Sequence, residues 1–190
     1  MKKISILLVA AVVAFSSFKA IETWKSDKAH SSLAFTIGHL GISEQVGTFK
    51  TFEATIKSEK ADLSDAVVEL KADVASINTG VDMRDNHLKS ADFFDAAKYP
   101  TLDFVSTGLK ADGKNKYKLT GNLTLHGITK PVTLDLLFKG TITNPMSKAP
   151  TSGFQVAGTI KRSDFNIGAG YPAPMLSDEV AIKANGEFSK

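Results

Sequence analysis

The sequence predicts an all-β fold: an eight-stranded antiparallel up-and-down barrel with a short helical insertion near residues 82–98. Three observations carry that expectation. Apolar and polar residues alternate with a period of two almost from end to end. The links between alternating runs are short, which suits antiparallel neighbours and leaves no room for the helical crossovers that parallel strands need. The alternation stops once, between Ile77 and Thr107. A sandwich would serve the same pattern, but a barrel has no open edge to protect, so the meander is expected to close on itself.

The chain begins with Lys2 and Lys3, then runs apolar from Ile4 to Phe15, too short for a bilayer span and suited to a secretory signal. Residues 1–20 are read as a signal peptide. Cleavage after Ala20 leaves bulky Phe18 at the minus-three position, so a cut after Ala14 is the alternative. Residues 21–190 then form one domain, periplasmic or secreted. No cysteine is present, which excludes disulfides, thiolate metal sites and a lipoprotein anchor.

Lys2, Lys3 and Lys19 account for the whole formal charge of +3, so the remaining chain carries 20 basic and 20 acidic residues. Without a concentrated basic face there is no reason to invoke nucleic acid. No later stretch is long and apolar enough for stable membrane insertion.

The strands follow in order. Leu33, Phe35 and Ile37 alternate with polar or small neighbours, as do Phe52, Ala54 and Ile56. The third is the plainest, with Ala66, Val68, Leu70, Ala72 and Val74 on one face. After the interruption Leu102 and Phe104 restart the pattern, and Asp112-Gly113 supplies a hairpin into Tyr117, Leu119, Gly121, Leu123 and Leu125. Gly127 marks a turn and Pro131 the start of the strand carrying Val132, Leu134, Leu136 and Phe138. Two loops, Asn144 to Gly153 and Gly168 to Pro174, introduce the last two strands, Phe154 to Ile160 and Val180 to Phe188.

Within the interruption Asp82 to Ser90 has helical spacing, and Ala91 to Lys98 reads as a second helical turn with Asp92 as N-cap and Pro100 as its end. Phe93, Phe94 and Tyr99 give this segment an apolar side that must be buried, and it is expected to lie over the barrel mouth as a lid. Its charges raise the possibility of catalysis by His87, Asp85 and Arg84. No spacing here matches a catalytic signature, and neighbouring acids and bases on a helix more often cap or bridge it.

His30, His39, His87 and His126 sit on four segments with no close ligand pair, so no metal is expected. Alternation puts His39 on the inward face and His126 on the opposite parity from Leu125. There is no G-x-S-x-G elbow. Gly168-Ala169-Gly170 reads as a flexible loop, and Arg162-Ser163-Asp164 as a strand end closed by a local ion pair or turn.

The apolar face is the stronger signal. Leu33, Phe35, Ile37, Val68, Leu70, Phe104, Tyr117, Leu119, Leu123, Leu134, Leu136, Phe138, Phe154, Val156 and Ile160 all point inward. They fill a core or line a tunnel. Small inward residues (Ala54, Ala66, Ala72, Gly121, Gly158 and Ala184) leave room for a cavity.

The chain also resembles the YceI-like family of exported polyisoprenoid-binding proteins. The likeness runs from Asp27-Lys28-Ala29-His30-Ser31 through Phe35, His39 and Gly47-Thr48-Phe49 to Ser76-Ile77-Asn78-Thr79-Gly80. It continues through Arg84-Asp85-Asn86-His87-Leu88, Asp92-Phe93-Phe94-Asp95, Tyr99-Pro100 and Phe104 with Ser106-Thr107. It ends with the run Gly121 to Val132 and Arg162-Ser163-Asp164-Phe165. The resemblance implies a lipocalin-like barrel whose apolar tunnel holds a polyisoprenoid, isoprenoid quinone or fatty-acid derivative as ligand, without a cofactor and without catalytic residues. Ile167 to Pro172 lies where such loops vary.

On this reading the tail supplies affinity and His39, Arg84 and Arg162 meet the head group at the mouth. The expected activity is binding, sequestration or transport of one amphiphilic lipid, with transient membrane contact at most. Two alternatives stand beside it: a lipid-acting hydrolase or isomerase using His87, Asp85 and Arg84, and a filled barrel serving as an interaction module. Val67, Val105 and Leu137 face outward and are candidates for a homodimer patch.

Overall fold

Period-two alternation fixes which side of each strand faces in, and short turns fix which strands are neighbours; together they wind the chain into a closed sheet. The computed structural model describes residues 21–60 and 63–190, so the expected signal peptide lies outside the described residues. Its strands are β1 (Glu22–Ser26), β2 (Ser32–His39), β3 (Ser43–Phe49), β4 (Phe52–Ser58), β5 (Val67–Asp73), β6 (Ile77–Asn78), β7 (Thr101–Ala111), β8 (Lys116–Leu125), β9 (Ile128–Thr143), β10 (Pro150–Lys161) and β11 (Leu176–Ser189). The single α-helix among the described residues is α1 (Asp82–Lys89). It is not long and apolar enough to cross a membrane.

Eleven strands make eight staves, because three staves are broken in two. β1 pairs with β4 and β2 with β3, so residues 22–39 and 43–58 form one long interrupted hairpin. β5 pairs with β4 and its continuation β6 with β3. The breaks are capped rather than frayed. Asp73 accepts from Ala75 N (2.8 Å) across the 3₁₀ turn Val74–Ser76, and Ser76 returns bonds to Lys50 N and Thr51 N. At the first break Asp27 accepts from Ala29 N (2.7 Å).

From β5 the meander continues β7-β8-β9-β10-β11, and every pairing is antiparallel. β11 closes the ring by meeting β2 along most of its length and β1 at Ser26↔Phe188 and Lys25↔Ser189. The barrel expected from the sequence is the fold observed.

Several local expectations are corrected. β9 starts at Ile128, directly after a two-residue turn whose His126 and Gly127 both have positive φ (52° and 72°), as a type I′ hairpin requires. Pro131 therefore lies inside the strand. It is tolerated because the β9–β10 ladder reaches only to Asp135, leaving the missing N–H without a partner strand on that side. Ala91 to Lys98 forms turns, not helix. Asp95 adopts φ 46°, which stops helical propagation, and Asp92 caps nothing. The turn at Ser90–Phe93 is closed by the Phe93 N to Ser90 O bond.

The outward apolar trio does not form one patch. Val67 and Val105 are near neighbours on β5 and β7, but β8 runs between them and Leu137, presenting Lys118, Thr120 and Asn122.

Candidate functional site

Inside the staves lies a cavity of about 490 Å³ with an almost wholly apolar wall. Of the fifteen side chains expected inside, thirteen line it, and Tyr117 and Phe138 do not. Those two point inward as their parity requires, but they pack on the core beyond the cavity, together with Trp24 and Leu109. Phe138 meets Phe154 at 5.2 Å between ring centroids, and Phe154 meets Phe188 edge-on at 5.4 Å. These rings form the floor.

Of the six small inward residues, Ala66 and Ala72 are buried without lining the tunnel, and the other four divide into two sets. Ala54 and Ala184 face the tunnel. Gly121 and Gly158 instead lie beneath Phe104 and Leu134, which occupy the space a Cβ would need. They make room for a neighbouring strand's side chain rather than for a ligand.

Ser26, Ser31 and Asn185 line the wall nearer Phe188, but most of the polar lining gathers at the opposite end, where His39, Gln45, Thr79, Arg84, His87, Arg162 and Tyr171 meet exposed Met175. This is the mouth. The three residues expected to meet a head group are all here, yet they are not equivalent. The buried guanidinium of Arg162 donates from Nε to Ser177 O, from Nη1 to Ile167 O and Gly168 O, and from Nη2 to Tyr171 O and Leu176 O. All five N–H groups are thereby spent on backbone carbonyls. Of the local ion pair or turn expected at Arg162-Ser163-Asp164 the turn forms, a 3₁₀ turn over Arg162–Phe165; among the described residues Arg162 makes no ion pair, and Asp178 accepts from Ser163 N and Oγ.

Arg84 is less committed. Its Nε donates to Thr79 Oγ1 (2.7 Å), Nη1 to Gln45 Oε1 (2.7 Å) and Nη2 to Thr79 O (3.0 Å), leaving two donors. The half-buried His39 ring has no hydrogen-bond partner among the described residues. At the mouth, then, Arg84 and His39 have spare hydrogen-bonding capacity and Arg162 has only its charge.

The roof is the insertion. Phe93 and Phe94 line the tunnel, Phe93 stacks on Tyr171 at 5.0 Å, and His87 packs edge-on against both. His87 Nε2 lies 3.2 Å from Asp92 Oδ2 and 3.1 Å from Tyr171 Oη. Gly168 N donates to Asp92 O (3.1 Å), so the loop read as flexible is pinned to the lid. Tyr99 is not part of it. Its ring sits over Gly127 and meets His126 edge-on at 4.8 Å, outside the cavity, while His126 Nδ1 bonds to Phe165 O (3.0 Å).

His87, Asp85 and Arg84 do not assemble as a catalytic set. Arg84 and His87, three apart, both line the cavity, but Asp85 between them does not. Asp85 accepts from Thr79 N (2.8 Å), Thr79 Oγ1 (2.6 Å) and Asn78 Nδ2 (3.3 Å), and so ties β6 to α1. Burial alone would push its carboxyl up, but the Thr79 bonds, with Lys89 and Arg84 nearby, hold it below the usual carboxylate range.

Outside the barrel, His30 does meet ligand-type neighbours. Its Nδ1 lies 3.0 Å from Asp27 Oδ2, and Glu187 completes an exposed trio within 4.8 Å that sequence spacing did not suggest. Sequence reasoning also missed Gln45, Thr79 and Tyr171 at the mouth. The Gln45-x-Gly47-x-Phe49 alternation is the signal that was available.

A closed antiparallel barrel, floored by aromatic rings and lined by hydrocarbon, defines a protein built around an internal binding space. Residues 24–188 match the model of the YceI-like domain. The chain belongs to that family. It is 40% identical over 170 residues to Protein YceI of Escherichia coli O6:H1, covering 88% of each chain. Among solved structures it is similar to Burkholderia cenocepacia BcnA, with TM-score 0.77 and 30% identity over 87% of this chain and 99% of that one. It shares its fold with a polyisoprenoid binding domain from Saccharophagus degradans at TM-score 0.68 and 18% identity, over 87% of this chain and 97% of that one.

Two measurements test the lid. Gly168 has φ +62°, and a Cβ there would lie 2.8 Å from the Phe93 ring. Gly168→Ala should therefore lower stability in urea unfolding by about 1–2 kcal/mol for the backbone strain, plus whatever the clash adds. Asp85→Asn should cost about 1–3 kcal/mol at neutral pH. Because the folded-state value is depressed, Asp85 stabilises fully above the carboxylate range, and the benefit is lost as pH falls through its folded value. The gap between variant and parent should close on acidification.

Proposed function

We propose that this chain is a non-enzymatic lipid-binding protein of the periplasm or extracellular space that sequesters or carries one amphiphilic lipid. The ligand class is a polyisoprenoid, an isoprenoid quinone or a fatty-acid derivative, held tail-first in the tunnel. The observation that carries this reading is the apolar cavity itself. Left empty, a void of about 490 Å³ would cost on the order of 10 kcal/mol, comparable with a typical domain's whole net stability of about 5–15 kcal/mol. Water gains little there, since it needs two to four polar partners. A hydrocarbon chain gains roughly 0.8 kcal/mol per buried methylene, so two or three isoprene units supply on the order of 10 kcal/mol before ordering costs.

The polyisoprenoid-binding description of the Saccharophagus degradans neighbour supports the ligand class, and the Lys2-Lys3 and Ile4–Phe15 pattern supports export. Arg84 and His39 are the groups proposed to meet the head group; Arg162 is proposed to contribute charge only. The cavity disfavours a filled interaction module, and the engagement of Asp85 with Thr79 disfavours an enzyme using His87, Asp85 and Arg84.

Native mass measurement, followed by solvent extraction and identification of the released lipid, tests the proposal. Ligand-free preparations that also fail to take up added prenyl lipids would sink it. A variant sharpens the result. Ala184→Phe adds bulk to the tunnel wall, so in a hollow barrel it should reduce lipid retention while making the ligand-free protein more stable. In a filled core the same change would destabilise by about 1–3 kcal/mol.

A further inference from the structure

Among the described residues, eleven large hydrophobic side chains are exposed, and five of them lie on segments that border the mouth. Leu40 (50%) and Ile42 (86%) stand on the β2–β3 turn; Met175 (45%) lies beside them, with Leu40 N donating to Met175 O at 3.0 Å. Val81 (48%) and Met83 (83%) stand at the start of α1, which Arg84 ties to Gln45 of β3. Met175 itself lines the opening, Leu40 and Met83 are chain neighbours of lining residues His39 and Arg84, and Ile42 N donates to His39 O at 3.2 Å. Scattered exposed hydrophobics need no explanation, but a group of them on segments beside one opening does.

Resting on the lipid-binding reading above, we infer that this rim is a docking surface for a lipid bilayer, through which the ligand passes directly between membrane and tunnel. Charge selects the kind of bilayer. The exposed charged residues on the rim segments are Glu44 and Asp82, with no lysine among residues 38–49 or 79–88, and the arginine there is half-buried and bonded to Gln45 and Thr79. The outermost charges on these segments are acids and the cations of Arg84 and Arg162 are recessed, so an anionic surface gains no attraction there, whereas the ammonium groups of zwitterionic lipids suit the acids. The same acids argue against a second copy as the occupant. Two rims packed mouth to mouth would face Glu44 and Asp82 with their like and would seal both tunnels.

A docked mouth also removes a kinetic obstacle. A chain crossing water between membrane and tunnel exposes every methylene, at roughly 0.8 kcal/mol each; one sliding through an apolar collar exposes few.

Flotation of the mature protein with vesicles of phosphatidylcholine and phosphatidylethanolamine tests the inference, at low and at high salt. The parent protein should float at both salt concentrations. Ile42→Ser combined with Met83→Ser, which alters no tunnel-lining residue, should lower partitioning about tenfold or more. Undiminished flotation of the double variant would overturn the proposal. So would flotation only on anionic vesicles with loss in salt, or concentration-dependent dimerisation that the same two substitutions abolish. Farnesol added without vesicles separates this question from the function: the double variant should load it as the parent does, by native mass measurement. If the parent takes up no prenol in any form, the lipid-binding reading fails, while flotation still reports on the rim.

Discussion

Much of the mouth depends on one buried cation. Arg162 directly follows β10 and spends every donor on carbonyl oxygens of the chain that leads into β11, so a single side chain holds the course of that loop. A carboxylate partner would neutralise the charge but anchor only one point; five carbonyl contacts fix the path of the backbone. That path places Tyr171 against Phe93 and His87, and Gly168 against Asp92. The lid is consequently assembled from two segments far apart in sequence, and neither would stay over the tunnel without the other.

The barrel stays hollow through a division of labour along its wall. Near the floor, rings from β9, β10 and β11 pack against each other. Higher up, large residues lean over glycines on neighbouring strands, Phe35 over Gly47 and Phe104 over Gly121, so they lie along the wall instead of filling the centre. Close packing between strands and emptiness at the axis are thus the same arrangement seen from two directions.

The staves with strict alternation, such as Ala66 to Val74 and Tyr117 to Leu125, were legible in the sequence because each strand carries its own pattern. β3 was not, because Gly47 stands where an apolar residue should be, and the side chain that fills its place comes from Phe35 on β2. The second helical turn failed for a local reason: Asp95 takes a left-handed conformation that spacing does not reveal. The inward residues were identified by parity, but parity says nothing of depth, so Tyr117 and Phe138 were placed with the lining when they belong to the floor. Arg162 could be singled out but not understood, since its partners are backbone oxygens and any sequence supplies those.

The closed floor gives the tunnel a fixed length. On the proposed lipid-binding reading, a barrel open at both ends would thread a chain of any size, whereas one stopped by Phe154 and Phe188 would work as a ruler. A tail shorter than the bore leaves unfilled space beneath it, while a longer one must double back or leave its excess in the mouth among Arg84, His39 and Gln45. On that reading, selectivity for chain length would be set by the aromatic floor, at the opposite end of the tunnel from the residues proposed to meet the head group.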